Sequence, residues 1–247
     1  MEAYKDFASV YDMFMDNIDY SAWSDYIVEL LNKYGITDGQ ILELGCGTGT
    51  ITELLATKGY DMIGLDNSAE MLSVATDKKS ESGHDILYIL QDMCGFELHR
   101  SVPAIISVCD SMNYILEEDD LSKVFQRVQE YLDTDGVFIF DLNTIYKYEK
   151  ALGDNTFAEN REEGSFIWEN FYDEETQINE YDLTLFIPRE DASYQKSEET
   201  HYQRAYSLET IEALLVKAGL KFITAYDAFT FDEPKNDSER IYIIARK

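Results

Sequence analysis

The stretch that decides the fold is Glu43-Leu44-Gly45-Cys46-Gly47-Thr48-Gly49, in which three glycines alternate with other residues. It follows a short apolar run at 40–44 and precedes a helix-forming segment at 50–58, which predicts a turn between a buried parallel strand and a helix. Glycines at such a turn let the backbone approach a ligand closely. Glu43 would repel a pyrophosphate, and the third glycine stands one residue earlier than in the dinucleotide pattern Gly-x-Gly-x-x-Gly. A cationic amino group therefore suits this loop better than a phosphate.

Outward from the loop, strands and helices alternate along the chain, which is typical of a parallel sheet wound on both faces. Before the loop, helices are predicted at 3–15 and 21–34. After it, the predicted elements are strands at 60–65, 86–90, 104–108 and 137–140, helices at 69–79 and 119–132, a helix from Ser207 to about 218, and closing strands at 221–229 and 239–246. We therefore expect an α/β, Rossmann-like, doubly wound and mostly parallel seven-stranded sheet.

The alternation changes after the fifth strand. Segments 164–172, 177–187 and 193–206 have a period of two and are rich in strand formers such as Thr184 and Phe186. This pattern predicts an antiparallel β insertion placed on the α/β core.

Acidic residues stand at the ends of the next three predicted strands. Asp66 ends the second strand, where a carboxylate can accept both hydroxyls of a ribose. Asp92 follows the third strand and can accept from an adenine amino group, while Met93 can pack on the ring face. Asp110 follows the fourth strand. Open α/β sheets bind ligands at the carboxyl ends of their strands, so these residues predict a nucleoside site that needs no phosphates.

Four motifs in register resemble the class I S-adenosylmethionine-dependent methyltransferases: Glu43–Gly49, Gly64-Leu-Asp-Asn-Ser-Ala-Glu-Met-Leu72, Gln91-Asp92-Met93 and Asp135-Gly136. Two further stretches, Phe7-Ala-Ser-Val-Tyr11-Asp12 and Cys109-Asp-Ser-Met-Asn-Tyr114, are similar to a branch of small bacterial methyltransferases. That branch has distant similarity to sugar N-methyltransferases and to glycine N-methyltransferase-like enzymes.

The resemblance implies S-adenosylmethionine as the cofactor and S-adenosylhomocysteine as the product. It implies that the glycine loop passes under the methionine part, that Glu43 supports its amino group, that Asp66 holds the ribose and that Tyr11 covers the sulfonium. The implied cofactor-binding residues are Tyr11, Glu43, Gly45, Cys46, Gly47, Asp66, Asn67, Met71, Asp92, Met93 and Cys109. It also implies three regions: a cofactor-binding core with an N-terminal helical lid at 1–149, the β insertion at 150–206 as a substrate cover or dimer surface, and a helix with edge strands at 207–247.

Methyl transfer from a sulfonium is an in-line displacement, which needs a general base only when the nucleophile carries a proton. Tyr11 and His201 are the candidate catalytic residues, and Asp110, Asn113 and Arg204 are the candidate substrate-binding residues. Each has a structural alternative: Tyr11 as part of an apolar helix face, His201 as a hydrogen-bonded strand residue, and Arg204 as a counter-charge to nearby acids.

The charge balance restricts the partners. Lys and Arg total 20 against 49 Asp and Glu, a formal net charge of −29. Such a chain would be repelled by nucleic acid and by an anionic membrane surface, so we expect a small-molecule methyl acceptor.

The three scattered cysteines and three histidines predict neither a metal site nor disulfides, and favour the cytoplasm. A homodimer is a further expectation. A nicotinamide-dependent oxidoreductase and a non-catalytic cofactor-binding module are the alternative functions.

Overall fold

The computed structural model describes residue 8, residues 10–189 and residues 191–247. Within these ranges the helices are α1 (Tyr11–Phe14), α2 (Tyr20–Lys33), α3 (Thr50–Thr57), α4 (Ala69–Ser82), α5 (Glu118–Tyr131) and α6 (Leu208–Lys217). The strands are β1 (Gln40–Leu44), β2 (Asp61–Asp66), β3 (Leu87–Leu90), β4 (Val102–Ser107), β5 (Leu132–Asn143), β6 (Thr156–Asn160), β7 (Ser165–Asp173), β8 (Ile178–Pro188), β9 (Tyr194–Arg204), β10 (Lys221–Asp227) and β11 (Arg240–Arg246). A 3-10 turn follows β4 at Ser111–Tyr114.

The described strands form a seven-stranded sheet in the order β10-β11-β5-β4-β1-β2-β3. Strands β1 to β5 pair in parallel, whereas β11 runs antiparallel to both β5 and β10. From β1 the strands are added toward one edge of the sheet as far as β3. The chain then returns to place β4 on the other side of β1, and the later strands extend the sheet toward the opposite edge. The crevice at the carboxyl ends of β1 and β4 is therefore the place where such a sheet binds its ligands. The predicted fold class is confirmed.

Both faces of this sheet are buried. Neighbouring residues of its central strands are apolar, and their side chains point to opposite faces in turn. Leu42 of β1 packs on one side with Phe125 of α5 and Phe138 of β5. Its neighbour Ile41 packs on the opposite side with Leu30 of α2. All of these side chains are fully buried. This two-sided core fixes the strand ends that carry the polar loops.

The second sheet has the order β6-β7-β8-β9 and is antiparallel throughout, as predicted for the insertion. It meets α1 through Phe14, whose ring contacts Phe166 of β7 edge-on at a centroid distance of 5.1 Å. Strand β6 was not predicted from the sequence.

Two predicted elements differ most in length from the observed ones. Of the helix predicted at 3–15, the structure gives the helical turn Tyr11–Phe14, and residues 1–7 and 9 lie outside the described residues. The fifth strand, predicted at 137–140, extends over Leu132–Asn143 because its carboxyl half pairs with β11 along seven positions. None of the helices in the described part of the chain is both long and apolar enough to cross a membrane.

Candidate functional site

A cavity of about 860 Å³ opens at the carboxyl ends of the parallel strands. The structure brings all of the predicted cofactor-binding residues to the lining of this one cavity. These are Tyr11, Glu43, Gly45, Cys46, Gly47, Asp66, Asn67, Met71, Asp92, Met93 and Cys109. Their placement together is a structural result, and the contact that each makes with a cofactor stays a prediction.

The glycine loop is bent back onto β2. The backbone N–H groups of Gly45 and Cys46 both donate to the carbonyl oxygen of Leu65, at 2.8 and 3.0 Å. Gly45 and Gly47 have φ values of +70° and +54°, a region that favours glycine. A Cβ on Gly45 would lie 2.7 Å from the Ser111 side chain, whereas a Cβ on Gly47 would meet no atom within 4 Å. The loop therefore leaves open space beside Gly47, as close approach by a ligand requires.

Asp66 is fixed by the loop that it faces. Its Oδ2 accepts from the backbone N–H of Gly47 at 2.8 Å, and its Oδ1 accepts from that of Ser68 at 2.8 Å. Burial raises the pKa of Asp66, and these backbone hydrogen bonds oppose the rise. A carboxylate oxygen can accept a second hydrogen bond, so both oxygens can still take a hydroxyl donor from the cavity. This chemistry fits the two hydroxyls of a ribose.

Glu43 lies at the bottom of the cavity and is only 2% exposed. Its carboxyl group accepts a hydrogen bond from the Thr52 hydroxyl. Burial raises the pKa of Glu43 to about 8; the Thr52 hydrogen bond opposes this rise, and the nearby Asp66 carboxylate adds to it. A cation placed beside Glu43 would favour its ionised form. Glu43 therefore fits the amino group of S-adenosylmethionine, and Asp66 fits the hydroxyl groups of its ribose.

The segment that follows β3 contributes a further part of the cavity lining. Asp92 is held in its turn by a hydrogen bond from the backbone N–H of Cys94 to its Oδ1, at 2.7 Å. Met93 lies close to Gly45, with its Cε 3.3 Å from the position of a Cβ there. Ile115, after the 3-10 turn, also lines this part of the cavity. An apolar slot with a carboxylate at its edge fits an adenine ring.

Helix α1 closes over the glycine loop through a polar contact that the sequence reasoning missed. Asp12 accepts from the Thr48 hydroxyl at 2.7 Å and pairs with the Lys78 ammonium at 2.6 Å. Tyr11, the residue before Asp12, lines the cavity together with Tyr20 of α2. Burial raises the pKa of Tyr20, so its hydroxyl stays protonated at neutral pH. The sequence of α1 does not indicate that Asp12 pairs with Lys78, which lies on α4.

The turn after β4 is held by a buried network of charges. Cys109 and Asp110 have positive φ values of 60° and 55°, and both donate their backbone N–H groups to Asp141, at 3.1 and 2.8 Å. Arg240 pairs with Asp141 and with Asp110, each at 2.6 Å. Gln203 donates to the second oxygen of Asp110 at 2.6 Å. The Asp110 carboxylate is thus engaged within the protein and does not line the cavity, and its substrate role stays a prediction.

The other substrate and base candidates do not line this cavity; Arg204 borders a smaller pocket beside it, which shares Glu117 and Asp120 with the first. Asn113 joins three elements, since its side chain donates to the carbonyl oxygens of Asn143 and Arg204 and accepts from the backbone N–H of Asn143. The Arg204 guanidinium donates to the carbonyl oxygen of Leu116 and pairs with Glu118. His201 is buried behind Tyr114, whose side chain does line the cavity. The structure does not bring these candidates to the cavity surface, and their roles stay predictions.

Comparison with known proteins gives full-length similarity. A family described as "Methyltransferase domain" matches residues 41–136. A Bacillus subtilis (strain 168) protein named "Putative methyltransferase YqeM" is 36% identical over 247 residues, covering 99% of this chain and 97% of that protein. A dTDP-3-amino-3,4,6-trideoxy-alpha-D-glucopyranose N,N-dimethyltransferase of Streptomyces venezuelae is 29% identical over 138 residues, which are 55% of this chain and 56% of that protein.

A solved structure agrees over the whole chain as well. It is that of an S-adenosylmethionine-dependent methyltransferase from Clostridium acetobutylicum ATCC 824. The two structures superimpose with a TM-score of 0.88 at 33% identity, covering 99% of each chain. The similarity therefore includes the β insertion as well as the α/β core.

Proposed function

Because this chain belongs to the S-adenosylmethionine-dependent methyltransferases, we propose that it methylates a nitrogen atom of a small acceptor that carries no phosphate. The family membership decides against the nicotinamide-dependent oxidoreductase and against a binding module without chemistry. The family membership leaves the methyl acceptor open.

When bound, the cofactor supplies a methyl group that its positive sulfur has already activated. The residues of the chain then have to hold the reactants in line and keep water out. Glu43 and Asp66 would hold the polar ends of the cofactor, and the open space beside Gly47 would let it approach the backbone. Tyr11 would cover the sulfonium from α1, where an aromatic face stabilises a cation by about 0.5–2 kcal/mol.

One observation carries the choice of acceptor: in the described part of the chain, six acids and neither lysine nor arginine line the cavity. These residues are Glu43, Asp66, Glu70, Asp92, Glu117 and Asp120. Phosphates in proteins are bound by Arg, Lys or backbone N–H groups, and bidentate Arg contacts are the strongest of these. A phosphorylated acceptor would therefore enter a cavity whose field opposes it, while a neutral or cationic acceptor would be favoured.

The choice of nitrogen rests on the tyrosines beside the turn after β4. Tyr11, Tyr20 and Tyr114 line this part of the cavity. Aromatic faces attract ammonium groups, and phenol oxygens accept hydrogen bonds from them. The Streptomyces venezuelae relative is named for the dimethylation of an amino group, which agrees with this choice. Its acceptor is linked to a nucleotide diphosphate, and the acidic cavity of this chain favours an amine without that group.

Matched pairs of acceptors test the proposal. The chain is incubated with S-adenosylmethionine and either ethanolamine or phosphoethanolamine, and either glucosamine or glucosamine 6-phosphate. Formation of S-adenosylhomocysteine and the mass of the methylated amine are measured. We expect turnover with the phosphate-free member of at least one pair. Turnover restricted to phosphorylated members would contradict the proposal, as would methylation on oxygen alone.

We also propose that the protein works in the reducing cytoplasm. Cys46, Cys94 and Cys109 are all free thiols. Burial raises the pKa of Cys46 and of Cys109, which keeps both in the unreactive thiol form. Such thiols are consistent with packing roles in a reducing compartment.

A further inference from the structure

A cluster of four titratable side chains lies directly behind the tyrosine wall of the cavity. Tyr114 belongs to the 3-10 turn after β4, Tyr181 to β8, and Glu199 and His201 to β9. Of the four, only Tyr114 lines the cavity. His201 is 1% exposed and Glu199 is 4% exposed. A histidine and an acid buried together beside a substrate cavity call for a chemical explanation, since burial of both groups is costly.

The contacts run in a line from the cavity into the protein. The Tyr114 hydroxyl lies 3.2 Å from Nδ1 of His201, and Nε2 of His201 lies 3.3 Å from Oε2 of Glu199. Residues 199 and 201 point to the same face of β9 because strand side chains alternate. Strand pairing therefore holds Glu199 and His201 side by side, and the 3-10 turn brings Tyr114 to them.

Tyr181 fixes the imidazole ring. It is paired directly with His201 in the register of β8 and β9, and the two rings stack at a centroid distance of 4.9 Å and an angle of 8°. The hydroxyl groups of Tyr114 and Tyr181 are also hydrogen-bonded to each other. Among the described residues, Tyr114, Tyr181 and Glu199 face His201, and Glu199 is the acid of this group.

The 3.3 Å approach of Glu199 to Nε2 is an ion-pair distance without hydrogen-bond geometry. An ionised Glu199 would favour the proton on this nearer nitrogen, so that Nδ1 accepts from the Tyr114 hydroxyl. It also stabilises the imidazolium that forms if Nδ1 takes that proton, as the orienting acid does in a catalytic triad. The oxygen of Tyr114 then offers a lone pair to a donor in the cavity.

We propose that Tyr114, His201 and Glu199 form a proton relay that removes the proton from the methylated acceptor. The inference rests on the proposed function. The acceptor reacts as the neutral amine, whose nitrogen lone pair forms the new N–C bond as the S–C bond of the cofactor breaks. The product is therefore an ammonium that must lose one proton. This proton passes to the Tyr114 oxygen while the Tyr114 hydroxyl proton passes to Nδ1 of His201. Tyr114 ends neutral, and the imidazolium is balanced by Glu199. Tyr114 is the catalytic residue, and His201 and Glu199 act through it as positioning residues.

The relay can be tested without knowing the acceptor, because it must also carry protons between solvent and the buried imidazole. The full chain, bound to S-adenosylhomocysteine and labelled with ¹⁵N-histidine, is studied by NMR. Three histidines are present, and a His201→Asn variant assigns the buried one. The tautomer of His201 and the rate at which its ring N–H exchanges with water are measured in the wild type and in Tyr114→Phe.

We expect the proton on Nε2, and an exchange that is about 10²-fold slower in Tyr114→Phe, the scale of a lost acid–base step. A purely structural hydroxyl would have the opposite effect, because its loss loosens the packing and speeds exchange. Tyr202→Phe is the matched control: Tyr202 adjoins His201 on β9 but is 43% exposed and points to the other face. Its exchange rate should equal that of the wild type.

An equal or faster exchange in Tyr114→Phe would overturn the relay, and so would a proton resident on Nδ1. Glu199→Gln should raise the fraction of the Nδ1–H tautomer, and no change in tautomer there would remove Glu199 from the relay. Calorimetry with S-adenosylhomocysteine runs beside these measurements. No binding of S-adenosylhomocysteine to the wild type would contradict the proposed function, while exchange rates measured on the ligand-free chain would still decide the relay.

Discussion

The backbone N–H of Gly47 donates to the carboxylate of Asp66 across 2.8 Å, so the glycine loop and the end of β2 are joined at the cavity floor. One contact thereby fixes both the acid predicted to bind the ribose and the peptide beside which the cofactor would pass. The positive φ of Gly47 is required for this contact, because it turns the N–H of the loop toward β2.

Asp66→Asn should weaken S-adenosylmethionine binding by about 10²-fold or more, since hydrogen bonds to a charged group contribute about 1.5–3 kcal/mol each. Isothermal titration calorimetry measures the affinity. Asp61→Asn is the matched control on the same strand: Asp61 is exposed at the start of β2 and contacts Gln40. An affinity in Asp66→Asn equal to that of the control would remove the ribose assignment.

Glu43 should couple cofactor binding to pH. Its pKa of about 8 means that the free protein carries a protonated Glu43 at neutral pH. A cationic amino group beside it favours ionisation, so binding below pH 8 should release a proton. The affinity for S-adenosylmethionine should then rise by up to about tenfold per pH unit until about pH 8.

Calorimetry in buffers of different ionisation enthalpy counts the released protons. In Glu43→Gln the affinity should be lower and its dependence on pH in this window should disappear. Binding to the wild type with no net proton release at about pH 7 would contradict the assignment of Glu43 to the amino group.

Gly45→Ala should destabilise the protein more than Gly47→Ala. Both substitutions impose about 1–2 kcal/mol of left-handed backbone strain. The new Cβ at position 45 would also press on the Ser111 side chain at 2.7 Å, while the one at position 47 would meet open space. Urea unfolding compares the two variants, and equal losses in the free energy of unfolding would show that the contact with Ser111 is relieved at no cost. Gly47→Ala should instead lose cofactor affinity, because its methyl group enters the space beside the loop.

Arg240→Met should lower the free energy of unfolding by about 3–5 kcal/mol, because it leaves buried acids without their counter-charge. Asp141 is 0% exposed; burial raises its pKa from 3.8, and Arg240 opposes that rise. Without Arg240 the pKa of Asp141 in the folded state rises further, so folding favours the protonated acid. The loss should therefore be smaller at pH 5 than at pH 8, as urea unfolding at the two pH values would show. Arg240→Lys keeps the positive charge and should lose less of the free energy of unfolding. If Arg240→Met lost the same free energy at pH 5 and pH 8, the account would be contradicted.

Most of the predicted cofactor-binding residues could be placed at one cavity from the sequence because they lie next to strand ends. Asp66 ends β2 and Asp92 follows β3 after one residue, and the carboxyl ends of parallel strands meet at one edge of a sheet. Local pattern therefore fixes their position in space. The same reasoning placed Asp110 correctly after β4 but gave no sign of Arg240, which lies 130 residues away on β11 and engages its carboxylate.

The acceptor half could not be predicted in the same way. The Tyr114 hydroxyl meets His201 across 87 residues, through the return of β9 over the turn after β4. The alternation in β9 shows that His201 and Gln203 share a face, but it does not show what that face covers. The distance between His201 and the cavity, and the role of Tyr114 between them, depend on how the two sheets pack.

The central claim is that this chain transfers a methyl group to a small, phosphate-free amine. The most direct test incubates it with S-adenosylmethionine carrying a CD3 group and a Bacillus subtilis extract, followed by mass spectrometry of separate small-molecule, RNA and protein fractions. We predict that the label enters small molecules other than the cofactor that a cation exchanger retains, with an equivalent amount of S-adenosylhomocysteine formed. Label found in RNA or protein, or only in phosphorylated small molecules, would contradict the claim.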